Sequence, residues 1–403
     1  MSGRPGPNPG PNTGPNTGPK IAVIGGGTMG LATAWALARR GAQVELFERH
    51  GHIHAHGSHS GHTRVIRHAY HEGSDYVALV SRADHEWTSL GQRVGEQLLV
   101  RCGLLEFGAS DDPAFMAAVA ALGEHEIRHE LFDAATARAR FGFRVPSDWP
   151  ACLSPDSGYL RVAPCLSALR AEAEAHGATL RYQTHVRELI LGGARPRVLL
   201  NDGTCVAADQ IVVAAGAGSA QLLGPTLDST KPVERLQVLR RVQAWTRAAE
   251  HLRPGMRALP VWAAFVPEGF FYGFPDNDEG ISGFKLACHT SSDPELAFMY
   301  EPVDPEHVDR TVGDLDLQPL RAFLARYRPD AGEITATVTC LYASTTTEHF
   351  WIDQHPSDSR VVIATGFSGH GFKFAPVVGL AVADLTLEGH SKLALERFSR
   401  RAQ

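Results

Sequence analysis

The sequence predicts a mixed α/β (α+β) fold: a discontinuous dinucleotide-binding domain, with a second domain built on an antiparallel sheet threaded between its segments. Three observations predict it. A strand, a glycine turn, a helix and a second strand follow one another from Ile21 to Phe47. Two later segments echo that pattern, and the stretch from about 226 to 339 reads as paired antiparallel strands. The length agrees, because 403 residues exceed the roughly 150 of an average domain.

The first nineteen residues are mostly Gly, Pro, Asn and Thr without an apolar run. They read as a disordered tail and not as a secretory signal. Ile21–Ile24 then reads as a buried strand, Thr28–Arg40 as a helix stopped by Gly41, and Val44–Phe47 as a second strand. Gly25, Gly27 and Gly30 form G-x-G-x-x-G between strand and helix, and Glu48 ends the second strand. Residues without Cβ let backbone and helix N-terminus meet a pyrophosphate, while the acid accepts hydrogen bonds from a ribose. On this motif alone FAD and NAD both stay open.

Further on, GATLRYQTHV and PRVLLNDGTCVAADQIVVAAG give strands, a tight turn at Asn201-Asp202-Gly203 and a buried strand Ile211–Val213. Near the end, RVVIATGFSGHGFKFAPVVGLAVADLTLEG repeats strand, glycine turn and helix. Residues 20–105, 150–225 and 340–403 are therefore assigned to the nucleotide domain. Residues 106–149 and 226–339, with strands at GFFYGFP and GISGFKLACHT, are assigned to the second.

Composition narrows the partners. A hydrophobic share of 43% comes with no apolar run near the roughly 20 residues of a membrane helix, so no membrane partner is expected. A net charge of -6 argues against a nucleic-acid binder. Six scattered cysteines without a C-x-x-C pair give no zinc clamp and fit a reduced, cytoplasmic setting. The stretch GSHSGHTRVIRHAY, residues 57–70, nevertheless packs three histidines and two arginines, which suits a metal, a nucleic acid or a small anion. Upstream, His50, His52, His54 and His56 alternate without acids, which reads as a solvated loop and not as a metal site.

At GSHSGHTRVIRHAY, GFKLACHT, TCLYAS and GFSGHGFKF the chain resembles the monomeric sarcosine oxidase and N-methyl-tryptophan oxidase family, within the D-amino-acid-oxidase-like FAD-dependent oxidoreductases. The resemblance runs from Ile21 to about Gly389. It implies an FAD-binding Rossmann-like domain of glutathione-reductase type, a sheet-rich substrate domain and a monomer. It also implies oxidation of a secondary α-amino acid by O2. Hydride passes from the carbon next to nitrogen to the flavin, the imine is hydrolysed to an aldehyde and an amino acid, and hydrogen peroxide leaves.

The same resemblance implies roles. Arg67 and Lys373 fall where the family grips the substrate carboxylate, a planar fork and a point charge on one anion. Thr63 and Arg64 fall on the flavin side. Lys285 falls where the family activates oxygen; between Phe284 and Leu286 in an apolar strand, its charge is costly without such a task. Cys340 falls on the cysteine that carries FAD covalently. Tyr272, His289 and Tyr342 fall in the substrate pocket, and Gly366, Gly369 and Gly371 open the last helix beside the flavin. Two positions depart from the common S-H-H-G-D-T-R: Ser60 replaces a histidine and His62 an acid. Ala263 and Ala264 hint at room for a bulky substrate. The rival readings are an NAD-dependent dehydrogenase and a catalytically idle flavin-binding protein.

Overall fold

The computed structural model describes residues 16–70, 73, 75–227 and 236–399. The tail expectation for residues 1–15 lies outside these. Residues 16–19, expected in the tail, instead join the domain: Asn16 Nδ2 donates to the Ala42 and His176 carbonyls at 2.9 and 2.8 Å. A side chain that satisfies two carbonyls offsets the entropy of ordering such a short segment.

A six-stranded sheet carries the glycine motif. Its order is Trp351–His355, Asp358–Thr365, Gln210–Val213, Lys20–Ile24, Gln43–Phe47 and Thr179–Arg181. All neighbours are parallel except the first pair. Buried on both faces, these strands read as continuous apolar runs such as IAVI and IVV. The helix Thr28–Ala38 is buried from Met29 to Ala38, between this sheet and the helix Ala375–Glu388. The two helices touch where Gly379 meets Ala32; a Cβ on Gly379 would lie 2.5 Å from the Ala32 carbonyl oxygen.

An eight-stranded sheet forms the second layer. Its order is Glu333–Ser344, Gln237–Arg247, Phe284–Ser291, Gly269–Phe274, Val261–Val266, Leu104–Gly108, Ala151–Ser154 and Glu130–Phe132. It is antiparallel apart from the Val261–Val266 and Leu104–Gly108 pair. One face packs on the helix Asp314–Tyr327, with Phe323 stacked on Trp262 at 5.1 Å and on Phe271 at 4.7 Å. Each buried phenylalanine there stabilises the layer by about 1.5–3 kcal/mol.

Strand membership corrects the expected segment ends. Leu104–Gly108, Ala151–Ser154 and Glu333–Ser344 all belong to the eight-stranded sheet, so the boundaries at 105, 150 and 340 fall within or beside its strands. Long-range pairing decides which sheet a short apolar run joins, and that pairing leaves no local mark. The last helix begins at Ala375, after the tight turn Phe372–Phe374. Gly366, Gly369 and Gly371 therefore lie in the loop ahead of it, because Pro376 sets the helix's first turn.

Candidate active site

Side chains alternate across a strand, so register decides which residues share a face. Arg241 lies opposite Cys340 and Leu239 opposite Tyr342; Trp245 lies opposite Lys285 and Gln243 opposite Ala287; Tyr272 lies opposite both Ala287 and Ala263. Cys340, Tyr342, Gln243, Lys285, Tyr272 and Ala263 thus share the face turned away from Phe323. Ala264 is one residue out of phase and packs in the core with Trp262 and Phe271, so it gives no room to a ligand.

That face borders a cavity of about 240 Å3, whose walls include Arg67, Lys373, Tyr272, His289, Tyr342 and Gln243. A second cavity of about 150 Å3 runs along the glycine motif, with Gly25, Gly27, Glu48, His59 and Gly216 in its walls. Arg64, Ser368, Gly369 and Phe372 line both, so the two are halves of one continuous groove.

The glycines of the motif are not equivalent. A Cβ on Gly25, whose φ is +100°, would lie 2.4 Å from the Ala214 carbonyl oxygen, and one on Gly30 would lie 1.7 Å from that of Gly25. Both positions are fixed by the protein's own packing. At Gly27 the nearest atom would be His59 Nδ1 at 3.7 Å, and nothing lies within 4 Å of a Cβ on Gly216 or Gly218. Gly27 of the motif, with Gly216 and Gly218 of the later glycine turn, thus leaves a floor open to a ligand. Glu48 stands over it: Oε2 accepts from the Gly26 amide at 2.7 Å and Oε1 from the His50 amide at 2.8 Å. Burial pushes its pKa up, but hydrogen bonds from His54 and those two amides outweigh burial and hold it below the usual carboxylate range.

Arg67 and Lys373 meet at one aromatic ring. The Arg67 guanidinium lies 4.5 Å and the Lys373 ammonium 5.3 Å from the centre of Tyr70, and both cations are buried. Lys373 also donates to the His370 carbonyl at 2.8 Å. Arg64 is held by backbone, donating to the carbonyls of Thr63 at 2.8 Å and Ser58 at 2.7 Å. Lys285 is 1% exposed and donates to the Gly61 carbonyl at 2.7 Å, the Thr63 carbonyl at 3.1 Å and Thr63 Oγ1 at 3.2 Å. Phe274 and Trp245 cover it. Burial, with Arg64 nearby, pushes its pKa well below that of a free lysine.

The polar aromatics form a chain. His289 Nδ1 and Tyr342 Oη are 3.2 Å apart, and Tyr342 is hydrogen-bonded in turn to Tyr272. Burial raises both phenol pKa values, so the hydroxyls stay protonated at neutral pH. Behind them the Cys340 thiol is buried, and its sulfur accepts a hydrogen bond from Gln243 Nε2 at 3.2 Å.

The family model for FAD dependent oxidoreductases (DAO) matches residues 20–385. The chain belongs to this family. It is 35% identical to a monomeric sarcosine oxidase of Bacillus sp. (strain B-0618) over 384 residues, covering 94% of this chain and 95% of that protein. It is 30% identical to an N-methyl-L-tryptophan oxidase of Yersinia pestis (strain Pestoides F), covering 94% and 98%. Among solved structures it is similar to NikD, an unusual amino acid oxidase essential for nikkomycin biosynthesis, in its open form. The TM-score is 0.80 at 27% identity, covering 95% and 98% of the two chains. Like these relatives it is an FAD-dependent oxidase, and the choice between FAD and NAD left by the glycine motif falls to FAD.

The residues present fit that cofactor. The open glycine floor and Glu48 suit the pyrophosphate and adenosine end, and the groove continues past Arg64 to the cavity holding Arg67 and Lys373. Gly366 and Gly369 have a packing reason of their own: a Cβ would lie 2.5 Å from Thr345 Cγ2 and 2.3 Å from the Tyr342 ring respectively. Four participants were missed by sequence reasoning: Gln243, Tyr70, Ser368 and His59. Tyr70, His59 and Ser368 carried a signal, since they lie within the quoted motifs; Gln243 becomes visible only when distant strands pair.

The histidine-rich stretch is corrected as well. His50, His54, His56 and His59 wall the dinucleotide cavity, with His50 and His56 stacked at 4.1 Å. Burial, with His54 and Arg64 nearby, drops the His59 pKa to about 3, so this ring is neutral. Folded over the groove, the loop buries His59 and half-buries His50 and His54, while His56 stays exposed. Among the described residues no cluster of three or more potential metal ligands occurs, and no helix is long and apolar enough to cross a membrane.

Proposed function

We propose that this chain is an FAD-dependent oxidase of N-methyl or other secondary α-amino acids. One observation carries the proposal: two buried cations, Arg67 and Lys373, share a cavity with Tyr272, His289 and Tyr342, and that cavity opens directly into the dinucleotide groove. When bound, FAD takes two electrons from the C–H next to the substrate nitrogen and hands them to O2. The overall reaction balances: secondary amine plus O2 gives imine plus hydrogen peroxide, and imine plus water gives an aldehyde and a primary amino acid when the N-methyl carbon is oxidised.

The chain's own residues do the rest. Arg67 and Lys373 bind the carboxylate with a fork and a point charge, which fixes the reacting carbon in one orientation. Tyr272 and Tyr342, held protonated, offer donors beside the amine, and His289 orients Tyr342. Arg64 lines both cavities and places positive charge at their junction, and Lys285, buried nearby, adds to that charge while it is protonated, so that the two stabilise anionic species there. Gln243 lines the substrate cavity and donates to the Cys340 sulfur, and Cys340 shares a strand with Tyr342 of the same cavity, which supports Cys340 as the site of covalent flavin attachment.

Acid precipitation of the purified protein, followed by a peroxide-coupled panel of N-methyl and cyclic amino acids, tests this. Colour in the pellet and peroxide with at least one secondary amino acid are expected. Colour released to the supernatant would remove the Cys340 linkage and leave the oxidase. A flavin that no secondary amino acid bleaches would make the protein a catalytically idle flavin binder.

A further inference from the structure

We infer that the substrate carries a ring or comparably bulky apolar group, and that Ala263 is the residue that admits it. The inference rests on the oxidase proposed above and adds what lies at the far end of its cavity. Sheet order gives the cavity a direction. From the Cys340 strand the sheet steps through Gln237–Arg247, Phe284–Ser291 and Gly269–Phe274 to Val261–Val266. At about 4.8 Å per strand those four steps span roughly 19 Å. The flavin side lies at the Cys340 end, beside Arg64 and Ser368, which also line the dinucleotide groove.

The opposite end has different chemistry. Its walls are Leu104, Ala114, Val261, Ala263, Phe265 and Phe270. All six are apolar, and they are held from behind: Phe265 packs on Phe115 at 5.9 Å and on Phe270 at 4.8 Å, and Phe270 meets His289 edge-on at 5.7 Å. A substrate no larger than an N-methylated glycine would reach the cations and leave this wall in contact with water. An apolar ring would exclude that water and meet Phe265 and Phe270 in the offset or edge-to-face geometries aromatic pairs prefer.

Ala263 and Ala114 are the small residues on this stretch of wall, and of the two Ala263 is the one in the sheet. It sits between Val261 and Phe265 on its own strand and directly opposite Tyr272 on the next. Any longer side chain there would project into the space beside Tyr272. The neighbouring Ala264 points into the core and has no such effect.

The test compares kcat/KM for N-methylphenylalanine and for sarcosine in the wild type and in Ala263→Met. The wild type is expected to favour the ring by at least about tenfold, the scale of a single methylene in a hydrophobic pocket. Ala263→Met is expected to lower that ratio by about tenfold or more. A binding measurement free of turnover accompanies it: phenylacetate and acetate titrated against the flavin-containing protein by calorimetry, with the same preference and the same loss. The variant's flavin spectrum reports whether it has folded. Sarcosine favoured over the ring, or a ratio unmoved by a folded Ala263→Met, would overturn the inference while leaving the oxidase standing. Failure of every secondary amino acid in the wild type would overturn the oxidase itself.

Discussion

Lys285→Met is expected to slow reoxidation of the reduced flavoprotein by about 10²–10³ while slowing its reduction by substrate far less. The magnitude follows from the setting. The ammonium is 1% exposed, covered by Phe274 and Trp245, and gives its three protons to the Gly61 and Thr63 carbonyls and to Thr63 Oγ1. None of these acceptors carries a charge, so the positive charge remains available. At an effective dielectric of about 20, a unit charge about 4 Å from a developing superoxide is worth roughly 4 kcal/mol. With tenfold in rate for each 1.36 kcal/mol, that amounts to about 10³. Arg64 keeps part of the field, which brings the expectation down toward 10². Stopped-flow mixing measures the halves separately: anaerobic enzyme with substrate, then substrate-reduced enzyme with oxygenated buffer. Equal losses in both halves, or an unchanged reoxidation rate, would refute the assignment.

The same lysine sets a pH limit. Burial lowers its folded pKa below 10.5, so as pH rises through that lowered value the charge is lost, and wild-type reoxidation should fall at a pH where free lysine is still protonated. The Met variant should lack that limb. Arg67→Ala or Lys373→Ala should raise KM for carboxylated substrates by about tenfold or more, since a charge-assisted hydrogen bond contributes roughly 1.5–3 kcal/mol; an unchanged KM in steady-state assays would place the carboxylate elsewhere. Gly30→Ala should fail to fold or lose thermal stability, because its Cβ would lie 1.7 Å from the Gly25 carbonyl oxygen, whereas Gly27→Ala, with 3.7 Å of clearance, should fold and bind FAD weakly. Equal thermal midpoints for the two variants would contradict that division. Gln243→Leu should reduce the acid-precipitable share of flavin, and full covalent incorporation would remove Gln243 from any role at Cys340.

Local signals made the nucleotide layer legible. The strand Lys20–Ile24, the helix Thr28–Ala38 and the strand Gln43–Phe47 fall within two residues of the sequence expectation, because glycine spacing, apolar runs and Gly41 act over short distances. The cations and aromatics of the substrate cavity were named through motifs, and the structure brings Arg67, Lys373, Tyr272, His289 and Tyr342 to one cavity. What the sequence withheld depends on pairing between distant segments. Gln243 reaches Cys340 only because two strands almost a hundred residues apart run antiparallel, and Ala263 and Ala264 part company only once the register is known.

Ser60 and His62, the two departures from the family motif, bear on the same charge. The Ser60 hydroxyl donates to the Thr339 carbonyl at 3.0 Å, next to Cys340, so the replacement tethers the loop to the cysteine strand. His62, at φ +66°, packs against Gly280, where a Cβ would lie 2.4 Å from its ring, and its edge meets Trp245. Burial, with Lys285 and Arg64 nearby, lowers the His62 pKa, so the ring adds no positive charge at neutral pH. Nor does it bring the negative charge of the acid it replaces. The field at Arg64 and Lys285 is therefore less neutralised by this loop than an acid there would make it. That favours anions at the junction of the cavities and works against protonation of Lys285, so the strength of the charge we propose activates oxygen and its alkaline limit have a common origin at position 62.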